Sequence, residues 1–254
     1  MLYRLLSERS AKMEKYEFGN MNQNPEPGHL TIGGIPCILW GEPKEKLYIH
    51  VHGKMSRKEY AEHFAEIAGS KGYQTLSFDL PEHGERAGEN VRCDVWNGVH
   101  DLNGIADFAF SRWDSVSLFA CSLGAYFSLN AYPDRFFQKC LFQSPIVDMK
   151  WLVTQMMLWS GVSEQELFEK KEIPTQLDTL RWDYYRYILE NPVRKWPFPT
   201  AVLYGGKDNL QPLSSVKAFC DKFGAVLTVS ENSEHPFMGE ADFEIVDRWL
   251  LENI

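Results

Sequence analysis

The 254-residue sequence holds little from which a disulfide or metal framework could be built. Its five cysteines, Cys37, Cys93, Cys121, Cys140 and Cys220, are odd in number and scattered, with no Cys-x-x-Cys pair and no Cys/His cluster at ligand spacing. That pattern argues against a cystine scaffold and a structural zinc, and it fits a reducing compartment. Positive charge is in deficit: 26 Lys and Arg stand against 35 Asp and Glu, a net charge of -9. Such a chain repels a phosphate backbone or an anionic bilayer on average, so neither nucleic acid nor membrane is expected as a partner. There is no polybasic run, internal repeat or low-complexity tract. Residues 1–16 interrupt their apolar positions with Arg4, Glu8, Arg9, Lys12 and Glu14. No continuous apolar segment of the kind a secretory leader needs is left there, and a cytoplasmic location is the expectation.

What is present is ordinary globular material. Hydrophobic residues at 44% and charged residues at 24% exclude disorder and collagen-like repeats, and the length is ample for a sizeable core. Residues 115–133 carry no charge, a run about as long as a membrane span. The serines within it, with Asn130 and Gly124, make it read as a buried strand, a sharp turn and a buried helix.

Residues 30–40 read as two strands around Gly33-Gly34, a dipeptide suited to a tight hairpin. Residues 46–52 form a strand, and Ser56-Arg57-Lys58-Glu59 spells a capping box that predicts a helix to about Ser70, stopped by Gly72. Further strands are expected at 73–78, 115–120, 139–143, 200–204 and 225–230, with helices at about 97–110, 122–131, 212–223 and 237–251. This alternation calls for a mostly parallel sheet covered on both faces. Residues 148–198 break it. That insertion looks helical and holds Trp151, Trp159, Trp182 and Trp196, four of the eight Trp residues, together with Met156 and Met157. Its aromatics either bury an extra helical layer or form the underside of a lid over an apolar substrate, and both can hold at once. Trp151, Met156, Trp159 and Trp182 are the candidate substrate-binding residues.

The chemistry centres on Ala120-Cys121-Ser122-Leu123-Gly124, where a β-rich run meets a helix-forming one. A serine on such a strand-to-helix turn is pushed outward at a helix N-terminus, and small residues two before and two after it let the backbones approach. A serine hydroxyl near neutral pH needs an imidazole to take its proton and a carboxylate to orient that imidazole. Asp208 follows Gly205-Gly206-Lys207 at a strand end, and His235 lies in the loop before the last helix, giving the chain order Ser, Asp, His. Asp148, also at a strand end, is the rival acid. Cys121 sits one residue off the apex and reads as packing. The turn after His52-Gly53 can aim the Lys54 or the Met55 N–H at the same place as the Leu123 N–H, which would make an oxyanion hole. Lys54 could instead meet an anionic substrate with its ammonium. His50 reads as a core residue, and Asp79 and His83 as stabilisers of the loop beside the pocket.

Taken together, His52-Gly53, residues 79–86 (DLPEHGER), residues 120–124 (ACSLG), Gly205-Gly206-Lys207-Asp208 and Ser233-Glu234-His235 resemble the α/β-hydrolase superfamily, from about residue 30 onward. The loop from Asp79 looks like that of small carboxylesterases and of dienelactone-hydrolase-like or peptidase-like serine hydrolases. The first glycine of the commonest elbow is replaced here by Ala120. The resemblance implies an α/β fold with an eight-stranded, mostly parallel sheet and a helical cap inserted after the sixth strand. Residues 1–147 and 199–254 would then be the core and 148–198 the cap. It further implies Ser122 as nucleophile, Asp208 as acid, His235 as base, and the Leu123 and Lys54 N–H groups as oxyanion donors. The expected activity is hydrolysis of a small, partly apolar ester, with no cofactor or metal. An acyltransferase or thioesterase using the same triad, and a non-catalytic binding protein on the same scaffold, remain open.

Overall fold

A computed structural model of the chain describes residues 27–254; the reading of residues 1–16 lies outside them. Strands β1 (Gly28–Ile32) and β2 (Ile35–Trp40) form the expected hairpin, with Ile32 opposite Ile35. Its two-residue turn needs positive φ at both positions, which Gly33 at 58° and Gly34 at 89° adopt. Strand and helix then alternate through β3 (Lys46–Val51), α1 (Glu62–Ser70), β4 (Tyr73–Phe78), α2 (Val95–Phe110), β5 (Ser115–Cys121), α3 (Leu123–Ala131) and β6 (Cys140–Gln143). The insertion contributes α4 (Met149–Trp159), α5 (Glu164–Lys170), β7 (Glu172–Pro174), β8 (Thr179–Arg181) and α6 (Trp182–Glu190). The alternation resumes with β9 (Thr200–Gly205), α7 (Leu213–Phe223), β10 (Val226–Ser230) and α8 (Glu240–Asn253).

The main sheet has eight strands in the order β1-β2-β4-β3-β5-β6-β9-β10. β2 runs antiparallel to β1 and β4, and the remaining pairs are parallel. A parallel sheet must be covered on both faces. On one face Tyr48, Phe119, Leu141, Ala201 and Leu203 pack against Phe64 and Ala68 of α1 and Trp249 and Leu250 of α8. Elsewhere α2 and α3 lie so close that a Cβ on Gly98 would meet the Phe127 ring at 2.5 Å, and the Tyr132 hydroxyl donates to the Leu102 carbonyl at 2.9 Å. The uncharged stretch 115–133 is divided between β5 and α3, and no helix among the described residues is long and apolar enough to cross a membrane.

The capping box at Ser56–Glu59 does not form. Residues Lys58–Ala61 make a 3₁₀ turn instead, with Arg57 at its N-cap and no side-chain cap. The Lys58 N–H at the start of this turn donates to Asp79 Oδ1 at 2.9 Å, and the Glu59 carboxylate, which a box would turn back to the Ser56 N–H, accepts from Lys58 Nζ at 2.8 Å. A fully buried carboxylate wins the backbone donor because it must be satisfied, whereas a serine hydroxyl has water to turn to.

The described chain divides into two compact units, one running to Asp148 and resuming at Val193, the other Met149–Pro192. Trp196 and Phe198, grouped with the insertion by sequence, pack in the larger unit: Trp196 lies 5.4 Å from Phe142, and its indole N–H donates to Thr200 Oγ1 at 2.9 Å. The smaller unit also contains a short antiparallel ribbon, β7 with β8, beside its helices.

His50 is a core residue as read. Its ring stacks on Phe119 at 4.6 Å, its Nδ1 has no hydrogen-bond partner, and burial, with His52 nearby, pushes its pKa down to about 3. Burial likewise pushes His52 down to about 4. In the unfolded chain both imidazoles titrate near ~6.5. Between that value and the folded values the unfolded chain binds more protons, so stability is complete above pH ~6.5 and falls as pH drops toward 3. Urea midpoints should therefore be lower at pH 5 than at pH 7.5, roughly in step with those shifts, and His50→Phe should flatten the slope. An identical slope in His50→Phe would contradict the burial of a neutral ring at that position.

Candidate active site

Ser122 stands alone between β5 and α3, with φ 51° and ψ -119°. A side-chain-bearing residue held there costs on the order of 1–3 kcal/mol, so its surroundings must fix it. The Ser122 N–H donates to the Gln143 carbonyl at 3.1 Å, and its own carbonyl accepts from Ala125 at 3.1 Å and Ile146 at 3.2 Å. Glycine at 124 is dictated by contact: a Cβ would stand 2.4 Å from the His52 carbonyl oxygen. Ala120, the departure from the commonest elbow, is fully buried, and its methyl is accommodated beside its register partner Val51.

The structure brings together the three side chains singled out by chain order. Ser122 Oγ lies 2.8 Å from His235 Nε2, and His235 Nδ1 lies 2.7 Å from Asp208 Oδ2. The other Asp208 oxygen accepts the Leu210 N–H at 2.8 Å and the Gln211 N–H at 3.1 Å. With one oxygen held by two amides, the second is aimed at the imidazole, and the carboxylate is wholly shielded from solvent. The sequence reading missed what joins these loops. A Cβ on Gly205 would fall 2.6 Å from the Ser233 carbonyl and one on Gly206 2.7 Å from that of Glu231, so the paired glycines let the Asp208 loop press against the His235 loop. Gln143 Nε2 donates to the Pro236 carbonyl at 2.8 Å and holds that loop from the β6 side.

Asp148, the rival acid, accepts instead from Ser215 Oγ at 3.2 Å. Gln211 ties the same segment down: its buried Oε1 accepts the Val147 and Asp148 N–H groups at 3.0 and 2.8 Å. No feature of the sequence pattern distinguished this glutamine. Burial, with Asp208 nearby, pushes the Cys121 thiol up to about 12, which leaves it protonated and inert.

Leu123 is the first residue of α3, so its N–H has no partner within the helix. The turn after β3 abuts the serine: a Cβ on Gly53 would sit 3.0 Å from Ser122 Cβ. Of the two amides weighed in that turn, Met55 N–H donates to His83 Nε2 at 3.0 Å, while Lys54 is exposed. Beneath the turn lies Asp79, fully buried, accepting from Lys58 Nζ at 2.8 Å and from the Glu85 N–H at 3.0 Å.

The four candidate binding residues all fall in the smaller unit. There α4 buries Met149, Val153 and Met157, while Trp151 and Met156 are half-buried and Trp159 is 50% exposed. Trp182 opens α6 and packs edge-on against Phe168 at 5.0 Å. Among the described residues no group of three or more His, Cys, Asp or Glu side chains could hold a metal ion.

No family model and no curated protein matches the sequence. Solved structures do match. Est1E from Butyrivibrio proteoclasticus, solved with ferulic acid bound, superposes with a TM-score of 0.72 at 18% identity, covering 89% of this chain and 96% of that one. Alpha/beta hydrolase domain-containing protein 10 from mouse gives 0.72 at 17% identity over 90% and 98%. A thioesterase domain from the curacin biosynthetic pathway gives 0.56 at 16% over 91% and 100%. The chain has the α/β-hydrolase fold.

The contact at Gly124 makes a direct forecast. Gly124→Ala places a methyl against backbone, an overpacking worth ~1–3 kcal/mol, and should lower the melting temperature by on the order of 5 °C. Ala120→Gly, two residues on the other side of the serine, should shift it much less. Equal melting of Gly124→Ala and wild type by calorimetry would refute the close approach.

Proposed function

We propose that the protein is a serine hydrolase that cleaves a carboxylic ester of a small, partly apolar substrate through an acyl-enzyme on Ser122. The observation that carries this reading is the continuous hydrogen-bonded series from Ser122 Oγ through both nitrogens of His235 to Asp208. In this reading His235 Nε2 accepts the hydroxyl proton as Oγ attacks the ester carbonyl. Its Nδ1–H donates to Asp208, whose negative charge stabilises the imidazolium that forms. The carbonyl oxygen becomes an oxyanion facing the Leu123 and Lys54 N–H groups at a helix N-terminus, where backbone dipoles favour negative charge.

The tetrahedral species then collapses. The C–O bond to the alcohol breaks, His235 returns the proton to the leaving oxygen, and the acyl group remains on Ser122. Water, deprotonated by the same imidazole, attacks the acyl carbon and releases the acid and the free serine. Every group required comes from the chain, so the reading calls for no cofactor. Trp151, Met156, Trp159 and Trp182 are candidates for binding the apolar part of the substrate by residue type alone, because flat aromatic and flexible thioether side chains suit short to medium acyl or aryl groups.

Ser122→Ala should lower hydrolysis of p-nitrophenyl acetate and butyrate by ~10⁴-fold or more, leaving only the residual rate that binding and the oxyanion donors supply. Retention of the wild-type rate would remove the assignment. A matched panel of oxygen esters and thioesters, with and without an added acceptor alcohol, separates ester hydrolysis from thioester cleavage and acyl transfer. The reading expects the oxygen esters to give the higher kcat/KM and water to remain the acceptor.

A further inference from the structure

The loop carrying His83 is fastened to the turn beside Ser122 by two histidines pointing in opposite directions. His52, at the end of β3, lies with Nδ1 2.7 Å from the Gly53 carbonyl, and its Nε2 accepts the Leu80 N–H at 3.0 Å. His83, in the facing loop, lies with Nδ1 2.8 Å from the Pro81 carbonyl, and its Nε2 accepts the Met55 N–H at 3.0 Å. In each ring a carbonyl fixes the proton on Nδ1, which frees Nε2 to accept a backbone amide from the other segment. The rings lie 5.3 Å apart. Both segments therefore contribute one donor and one acceptor to the clasp.

The turn needs such a clasp. Gly53 is pressed against Ser122, with 3.0 Å between Ser122 Cβ and the position its own Cβ would take. Two residues later Met55 has φ 62°, left-handed backbone that an unbranched side chain occupies only under constraint. The facing loop is itself immobilised, because Asp79 accepts from the Lys58 and Glu85 amides and from Lys58 Nζ, and the Arg86 guanidinium donates to the Asp79 carbonyl at 3.1 Å. His83 transmits that rigidity to the one point of the turn where the backbone is strained.

We infer that His83 is a positioning residue: by accepting the Met55 N–H it holds the Lys54–Met55 turn in the pose in which the Lys54 amide is carried beside Ser122. This deepens the ester-hydrolase reading and rests on it for the amide's role. Burial pushes the His83 imidazole below its ordinary value, and the Lys54 ammonium acts the same way, outweighing the hydrogen bond to the Pro81 carbonyl and the charges of Glu82 and Asp79, which oppose the shift. The ring is therefore neutral, as an acceptor must be.

The test compares wild type, Ser122→Ala, His83→Leu and His83→Gln, the glutamine being able to present an oxygen acceptor near the place of Nε2. Each is assayed with a p-nitrophenyl ester and its thionoester, whose longer C=S bond and poorer acceptor atom make little use of an oxyanion hole. In parallel, amide hydrogen exchange is read at Met55. His83→Leu should lower kcat on the oxygen ester by on the order of 10²-fold with KM little changed, narrow the oxygen-over-thiono preference, and speed Met55 exchange roughly tenfold or more. His83→Gln should recover most of each.

Unchanged Met55 exchange in His83→Leu overturns the inference whatever the activity. So does an equal loss on both esters, which would mark a merely structural role. If wild type and Ser122→Ala hydrolyse neither ester, the hydrolase reading fails instead. In that event the exchange measurement alone decides whether His83 holds the turn.

Discussion

At the carboxyl ends of β3, β5 and β9 the backbone comes so near to neighbouring chain that a side chain has no room. A Cβ at Gly124 would lie 2.4 Å from the His52 carbonyl, and Cβ atoms at Gly205 and Gly206 would lie 2.6 and 2.7 Å from carbonyls of the His235 loop. These contacts are what let a serine, an imidazole and a carboxylate from three remote segments come within hydrogen-bond distance. Parallel strands end at one edge of a sheet, and the loops that leave them there converge only as closely as their backbones can pack. The chemistry is thus written partly in residues that have no side chain at all.

Around this contact zone lies a support of buried polar groups, among which Asp79, His52 and Gln211 are held by hydrogen bonds. Asp79 is completely shielded and would be costly alone, but Lys58 and two amides satisfy it. Removing one partner of such a pair costs ~3–5 kcal/mol, because the other charge stays buried. The histidines take the opposite course: burial pushes His50 and His52 down to about 3 and about 4, and they remain neutral. His52 uses both ring nitrogens, whereas His50 serves as an aromatic plate against Phe119. With one residue between them, a strand's repeat of two would put both rings on one face; their tasks differ because His50 lies within β3 against Phe119, whereas His52 lies past Val51, where the chain has left the strand and meets the Leu80 amide.

Much of this was legible in the sequence. The alternation of strand and helix, the hairpin at Gly33-Gly34 and the order Ser122, Asp208, His235 each follow from local patterns that tertiary packing does not override. The departures have physical causes. Ser56–Glu59 has the letters of a capping box, but a distant buried carboxylate, Asp79, takes the Lys58 amide. The last helix begins at Glu240 rather than Phe237, because Phe237 has φ 73° and Asp242 accepts the Gly239 N–H at 2.8 Å to close the first turn. His83 was read from its turn motif as a stabiliser of the loop beside the pocket, and it ties that loop to Met55; Gln211 and Gln143 were not singled out, since a residue acting through backbone groups of remote loops leaves no periodic or motif signal. Trp196 and Phe198 show the limit of bounding a segment by its flanking strands: they fall between the strands expected near 143 and 200 and so within the insertion, while their rings pack on Phe142 and Phe137.

The central claim is that Ser122 is made nucleophilic by His235. Treatment with a fluorophosphonate, followed by intact-mass and peptide mass spectrometry, reads that directly. The account predicts one covalent adduct per chain, located on Ser122, and a labelling rate reduced by orders of magnitude in His235→Ala. Absence of an adduct on Ser122 in the wild-type protein, or equal labelling rates in wild type and His235→Ala, would contradict it.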